Sequence, residues 1–194
     1  MNRKAQCATE ALPGRGLSGI VALQLLLAAQ SGMCYEDGAP PGHTAGFGEP
    51  DCSLCHSDGD RNPPNGTLRI DGVPECYVGN AEYELAVVLE HPDLRSGGFQ
   101  LAIRSADGEP AGRVIPVSAR ARVVAQAGQD YLQHSKDGRK PEREGMIRWA
   151  FRWIAPPAAG PVLLHIAANA ANDDISALGD FIFTLETMLE KACH

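Results

Sequence analysis

Residues 148–153 read Arg-Trp-Ala-Phe-Arg-Trp, so that Trp149, Phe151 and Trp153 alternate with Arg148, Ala150 and Arg152. Successive side chains of an extended strand point to opposite faces, and a strict period of two therefore puts the aromatic rings on one buried face. The same alternation recurs on both sides of this stretch. Tyr83, Leu85, Val87 and Leu89 form one row, with Glu84 and Glu90 opposite; Phe99, Leu101 and Ile103 form another, with Gln100 and Arg104 opposite. Val162, Leu164 and Ile166 make a further row, with His165 out of phase, and Phe181, Phe183 and Leu185 the last. Between the runs stand Ser96-Gly97-Gly98, Asp107-Gly108, Asp137-Gly138 and Pro156-Pro157, all turn chemistry. Short antiparallel strands at this spacing predict an all-β chain folded as a two-sheet sandwich, with the Trp/Phe row in its core. An aromatic ligand-binding platform is the sharper alternative for that row.

The chain has 194 residues, 44% of them hydrophobic and 21% charged, a length and composition that suit one domain with a real core rather than a disordered tail. Its formal charge of −7 argues against a nucleic-acid binder, which needs a basic face. No charge-free apolar stretch reaches the roughly 18–20 residues that cross a bilayer. Residues 1–32 read as a secretory signal peptide: Arg3, Lys4 and Arg15 precede an apolar run from Leu17 to Ala29, and Ala29-Gln30-Ser31 offers a cleavage site. A buried helix of the folded domain is the plainer alternative. Removal of three basic residues and one acid would leave 14 against 23, a charge of −9, with Cys34, Cys52, Cys55, Cys76 and Cys193 exported to an oxidising compartment, periplasmic or at the cell surface.

Residues 33–66 form a loop rich in Gly and Pro that contains Cys52-Ser53-Leu54-Cys55-His56. In a C-x-x-C-H sequence two thiols three positions apart add to the two vinyl groups of one haem, and the adjacent imidazole becomes the proximal iron ligand. Competing uses are a thioredoxin-like dithiol, which wants a βαβ setting that is missing, a zinc site completed by Cys76, Cys193 or His194, and a plain Cys52–Cys55 disulfide. Haem c, one and covalent, is the leading reading. Residues 67–190 then form the sandwich, as one unit with the loop.

The order of motifs is also familiar. A G-H-T-x-G-F-G-E-x-x-C-x-x-C-H loop from Gly42, then GGFQL from Gly97, Y-x-Q-H-S from Tyr131, W-x-F-x-W-x-A-P from Trp149, and AANAANDD from Ala167 leading to GDFIF, resembles bacterial reeler-like domains with an N-terminal haem-binding motif, relatives of the choice-of-anchor V group. The resemblance spans residues 42–185. It implies an immunoglobulin-like β-sandwich, export and a c-type haem. Many such relatives end in an anchor, whereas this chain stops at Glu190-Lys191-Ala192-Cys193-His194, so a soluble exported protein is expected unless Cys34 is lipidated; Met33 is a poor residue before a lipidated cysteine.

The second axial position of an iron held by His56 decides its chemistry. His134 is the first candidate, at the end of a strand-like run and matching a histidine of the family pattern; His43, thirteen residues before His56 in the same loop, is the second. His91, His165, His194, Met146, Met188 and an open position complete the choices. Asn169, Asn172, Asp173, Asp174 and Asp180 are oxygen donors that suit calcium, although an ordinary solvated turn explains them better. Cys34, Cys76 and Cys193 allow one disulfide, and Cys76–Cys193 would tie the start of the sandwich to its end. The expected function is single-electron transfer by a monohaem cytochrome that is no enzyme in the usual sense, its negative charge docking against a basic face on a redox partner. The alternative is a surface binding or haem-sensor module with a structural haem; peroxidase-like activity would need an open axial site.

Overall fold

In the computed structural model, which describes residues 35–56, 59–157, 160–174 and 176–190, strand β7 (Met146–Ile154) has a strictly alternating burial pattern. Ile147, Trp149, Phe151 and Trp153 are at most 1% exposed. Its neighbour β2 (Glu82–Glu90) runs antiparallel in a register that sets Tyr83 against Trp153, Leu85 against Phe151, Val87 against Trp149 and Leu89 against Ile147. Two apolar rows thus form one continuous face, the arrangement in which cross-strand pairs stabilise a sheet. β1 (Thr67–Asp71) flanks β2, and β4 (Arg113–Pro116) flanks β7, completing a sheet of order β1-β2-β7-β4. β4 ends on Pro116, which an edge strand tolerates because its outer backbone needs no partner.

The second sheet has the order β5-β6-β3-β8-β9, with every named pair antiparallel. It is built from β3 (Ser96–Ser105), β5 (Ala121–Gln126), β6 (Gln129–His134), β8 (Val162–Ala171) and β9 (Phe181–Leu189). Phe99, Leu101 and Ile103, with Val162, Leu164 and Ile166 and with Leu132 and Phe183, meet the first sheet's aromatic face in one hydrophobic core. The Trp149 and Trp153 indole N–H groups donate to Gly138 O and Ala111 O at 2.9 and 3.0 Å, so burial leaves neither unpaired. The expected all-β, two-sheet sandwich is what the chain forms, and the Trp/Phe row is its core. No helix among the described residues is long and apolar enough to cross a membrane.

The outer face of the larger sheet departs from the simplest strand pattern. Gln100, Arg104, Gln133, His165 and Asn169 alternate away from the core, as their phase requires, yet all are buried. Residues 35–56 and 59–62 lie over them. The loop starts beside β6, where the Asp37 carboxylate accepts from Lys136 N at 3.1 Å, and crosses β3, where His43 N donates to Gln100 Oε1 at 2.7 Å. At Gly46 it passes so close to β8 that an added Cβ would stand 2.2 Å from the His165 ring, and only glycine fits. Beyond the C-x-x-C-H it runs along β9, with Asn62 N donating to Ile182 O at 2.8 Å and a parallel bridge from Arg61 to Ile182. The proposed signal peptide and Cys7, Cys34, Cys193 and His194 lie outside the described residues.

Candidate functional site

The C-x-x-C-H segment is shaped by the residue before it. Asp51 sits in extended backbone and its Oδ1 accepts from Ser53 N at 2.7 Å, capping a single 3₁₀ turn, Cys52–Leu54. In that geometry residues three apart stand over one another, which brings Cys52 and Cys55 to one side. His56 N closes the turn on Cys52 O at 3.0 Å. Asp51 also holds Arg61 through Oδ2 at 3.0 Å, and so draws together the two arms of the loop around the motif. A cleft of about 460 Å³ opens beside the turn, lined by Ala45, Glu49, Ser53, Leu54, Arg61 and Thr184.

Both thiols are free. Cys55 is exposed and Cys52 half-buried. Burial, reinforced by Asp51, pushes the Cys52 thiol up to about 12. Among the described residues no cluster of three His, Cys, Asp or Glu side chains stands ready for a metal ion. Cys76 is disulfide-bonded.

His56 reaches across the chain to Asp180, which ends the turn before β9. Its Nδ1 lies 2.6 Å from Asp180 Oδ2, in an ion-pair geometry with a carboxylate that is 1% exposed. Asn169, from β8, donates Nδ2 to the same Oδ2 at 3.1 Å, while Asn172 N donates to Oδ1 at 3.3 Å. Among the described residues His56 is the one basic side chain that meets this buried carboxylate. The Asn169 amide nitrogen lies 3.2 Å from Nδ1 and 3.4 Å from Nε2 of the His56 ring. Near-equal distances to both nitrogens place it beside the ring, off the outward axis of Nε2. The Asn169 Oδ1 is buried without a partner among the described residues.

This arrangement fits a metal-binding imidazole. A ligating histidine almost always gives its second ring N–H to a carboxylate or carbonyl, which fixes the tautomer and turns the other nitrogen toward the metal. With Nδ1 committed to Asp180, Nε2 is the ring nitrogen that remains for a metal. The oxygen donors for which the sequence favoured a solvated turn over calcium fall into two settings. Asp180 turns inward to His56, while Asn172 Oδ1 accepts from Asp174 N at 3.1 Å and Asp174 Oδ1 from Ser176 N at 2.8 Å, two side-chain-closed turns at the surface.

The two leading axial candidates have other work in this structure. His134 is buried, its ring packed on Gly98, and its Nδ1 accepts from Phe99 N at 3.1 Å where the β3–β6 ladder stops. Burial holds its pKa below the ordinary histidine value, with hydrogen bonds to the Phe99 and Tyr35 backbone opposing that shift. His43 is half-buried over β3, its Nδ1 2.9 Å from Pro40 O. His165 pairs with Glu186 through Nε2 at 2.9 Å and meets the Phe47 ring edge-on at 5.1 Å. His91 stacks on Phe181 at 4.0 Å, and burial lowers its pKa. Sequence reasoning listed Asp180 and Asn169 only as oxygen donors and missed their tie to His56, which lies 124 and 113 residues away in the chain.

No protein-family model matches the chain, and no curated protein matches it. Solved structures with a similar shape include the Reelin-N domain of F-spondin, at 22% identity and a TM-score of 0.47, covering 73% of this chain and 97% of that one. A human F-spondin reeler domain aligns at 22% identity and a TM-score of 0.45, covering 70% and 96%. A non-cellulosomal cohesin from the hyperthermophilic archaeon Archaeoglobus fulgidus aligns at 12% identity and 0.35, covering 62% and 90%. The two-sheet architecture rests on this chain's own strand register, described above.

Proposed function

We propose that this protein is an exported monohaem c-type cytochrome that passes single electrons, with haem c bound through Cys52 and Cys55 and His56 as its proximal axial ligand. The observation that carries this reading is the His56–Asp180 contact: in a C-x-x-C-H whose two thiols are free, Nδ1 is committed to a buried carboxylate and Nε2 is left for a metal. A bound haem supplies a one-electron iron couple. The chain does the rest. Asp51 shapes the turn that pairs the thiols, Asp180 and Asn169 orient the imidazole, and the sandwich gives the loop a rigid floor. The acidic balance of the chain favours a redox partner with a basic docking face.

Expression with a c-type haem-attachment system, followed by intact mass and a pyridine haemochrome spectrum, tests the reading. One covalent haem per chain, reversibly reduced by dithionite and lost in the Cys52→Ser/Cys55→Ser double variant, is expected. A purified chain without a haem increment overturns it.

A further inference from the structure

Asp180 does more than hold a loop in place. Its carboxylate is removed from water, is met by no Lys or Arg among the described residues, and faces the His56 Nδ1 at 2.6 Å. A charge in such surroundings is costly unless it is shared through short hydrogen bonds. Two further donors, the Asn169 amide and Asn172 N, satisfy part of its demand. What remains falls on the imidazole N–H.

We propose that Asp180 is a positioning residue that raises the donor strength of His56 toward iron, holding the haem couple at a low reduction potential, and that Asn169 moderates this pull by competing for the same oxygen. The inference rests on the haem reading above and extends it to the regulation of that site. A carboxylate drawing on the Nδ1 proton gives the ring imidazolate character, so Nε2 becomes a stronger donor, and a stronger donor stabilises ferric over ferrous iron. Asn169 donates to the Asp180 Oδ2 that receives the His56 N–H. Removal of its amide therefore leaves more of the carboxylate's charge for the histidine.

The two substitutions accordingly have opposite signs. In Asp180→Asn the neutral amide keeps the shape and an acceptor for His56 N–H but loses the charge. Its midpoint potential should rise by at least the equivalent of a tenfold change in the electron-transfer equilibrium, ~59 mV for one electron. In Asn169→Ala the potential should fall. Both are read by spectroelectrochemical titration of purified holoprotein against wild type. Damage to packing alone would not move the two potentials in opposite directions. If Asp180→Asn yields no holoprotein, the downward shift in Asn169→Ala carries the test, and its absence refutes the proposal. Unchanged potentials, or shifts of one sign, overturn the inference while leaving the haem reading intact. A wild-type chain that takes up no haem removes both.

Discussion

His134 ends strand β6, where a backbone carbonyl would ordinarily accept the next ladder hydrogen bond, and it supplies a ring nitrogen instead. Phe99 N is the donor, at 3.1 Å, and the ring fills the space over Gly98. This is a structural task, and it separates two expectations for His134→Ala. The loss of that acceptor in a buried site should cost about 1–3 kcal/mol in urea unfolding, with the spin state of the proposed haem unchanged. A change to a high-spin spectrum would instead assign His134 to the iron. The residues of the C-x-x-C-H were legible in sequence because thioether chemistry needs a fixed local spacing. Asp180 was not, since nothing local couples a turn before the last strand to a loop near the first.

At the scale of the element, the N-terminal loop is held on the sheet by a polar cluster. Glu49 accepts from the buried Arg104 and, at 2.6 Å, from the Tyr131 hydroxyl; Thr44 Oγ1 donates to its other oxygen at 2.5 Å. The Arg104 guanidinium also lies over the Phe47 and Tyr131 rings at 5.4 and 5.6 Å. Those hydrogen bonds and the Arg104 charge hold the Glu49 carboxyl below its usual range against the opposing effect of burial. Breaking one side of a buried ion pair leaves the other charge stranded, at a cost of about 3–5 kcal/mol when burial is complete. Glu49 retains some exposure, so Glu49→Gln should cost less, about 2 kcal/mol, and should expose residues 42–56 to limited proteolysis before the sandwich unfolds. Resistance of this segment equal to wild type would show that the cluster does not secure it.

Across the whole molecule, buried histidines tie stability to pH. His91 and His134 both have folded pKa values held below the ordinary 6.5 by burial. Above that value both rings are neutral in either state, and the full stability is present. As pH falls below 6.5, the unfolded chain takes up protons that the folded chain refuses, so stability declines. Thermal midpoints should therefore be level from pH 8 to 7 and fall between pH 6.5 and 5. The fall should be smaller in His91→Phe, which keeps a ring against Phe181. A midpoint independent of pH over that interval would contradict the burial of both rings.

Alternation in the sequence determined by itself which residues face the core. Period-two rows such as Trp149-Phe151-Trp153 follow from the geometry of a single extended chain, and the turn residues between them follow from backbone stereochemistry. The motif Cys52–His56 was equally self-contained. Short edge strands such as β1 and β4 were not readable, because too few residues carry the pattern. What lies on the other face of a strand was decided only by the tertiary structure. Gln100, Arg104 and His165 have the phase of solvated residues, yet the loop covers them, and it does so through contacts spanning tens of residues. The pairing of His56 with Asp180 is of the same kind: a buried carboxylate finds its partner through the packing of loop on sheet, and no local spacing records that distance.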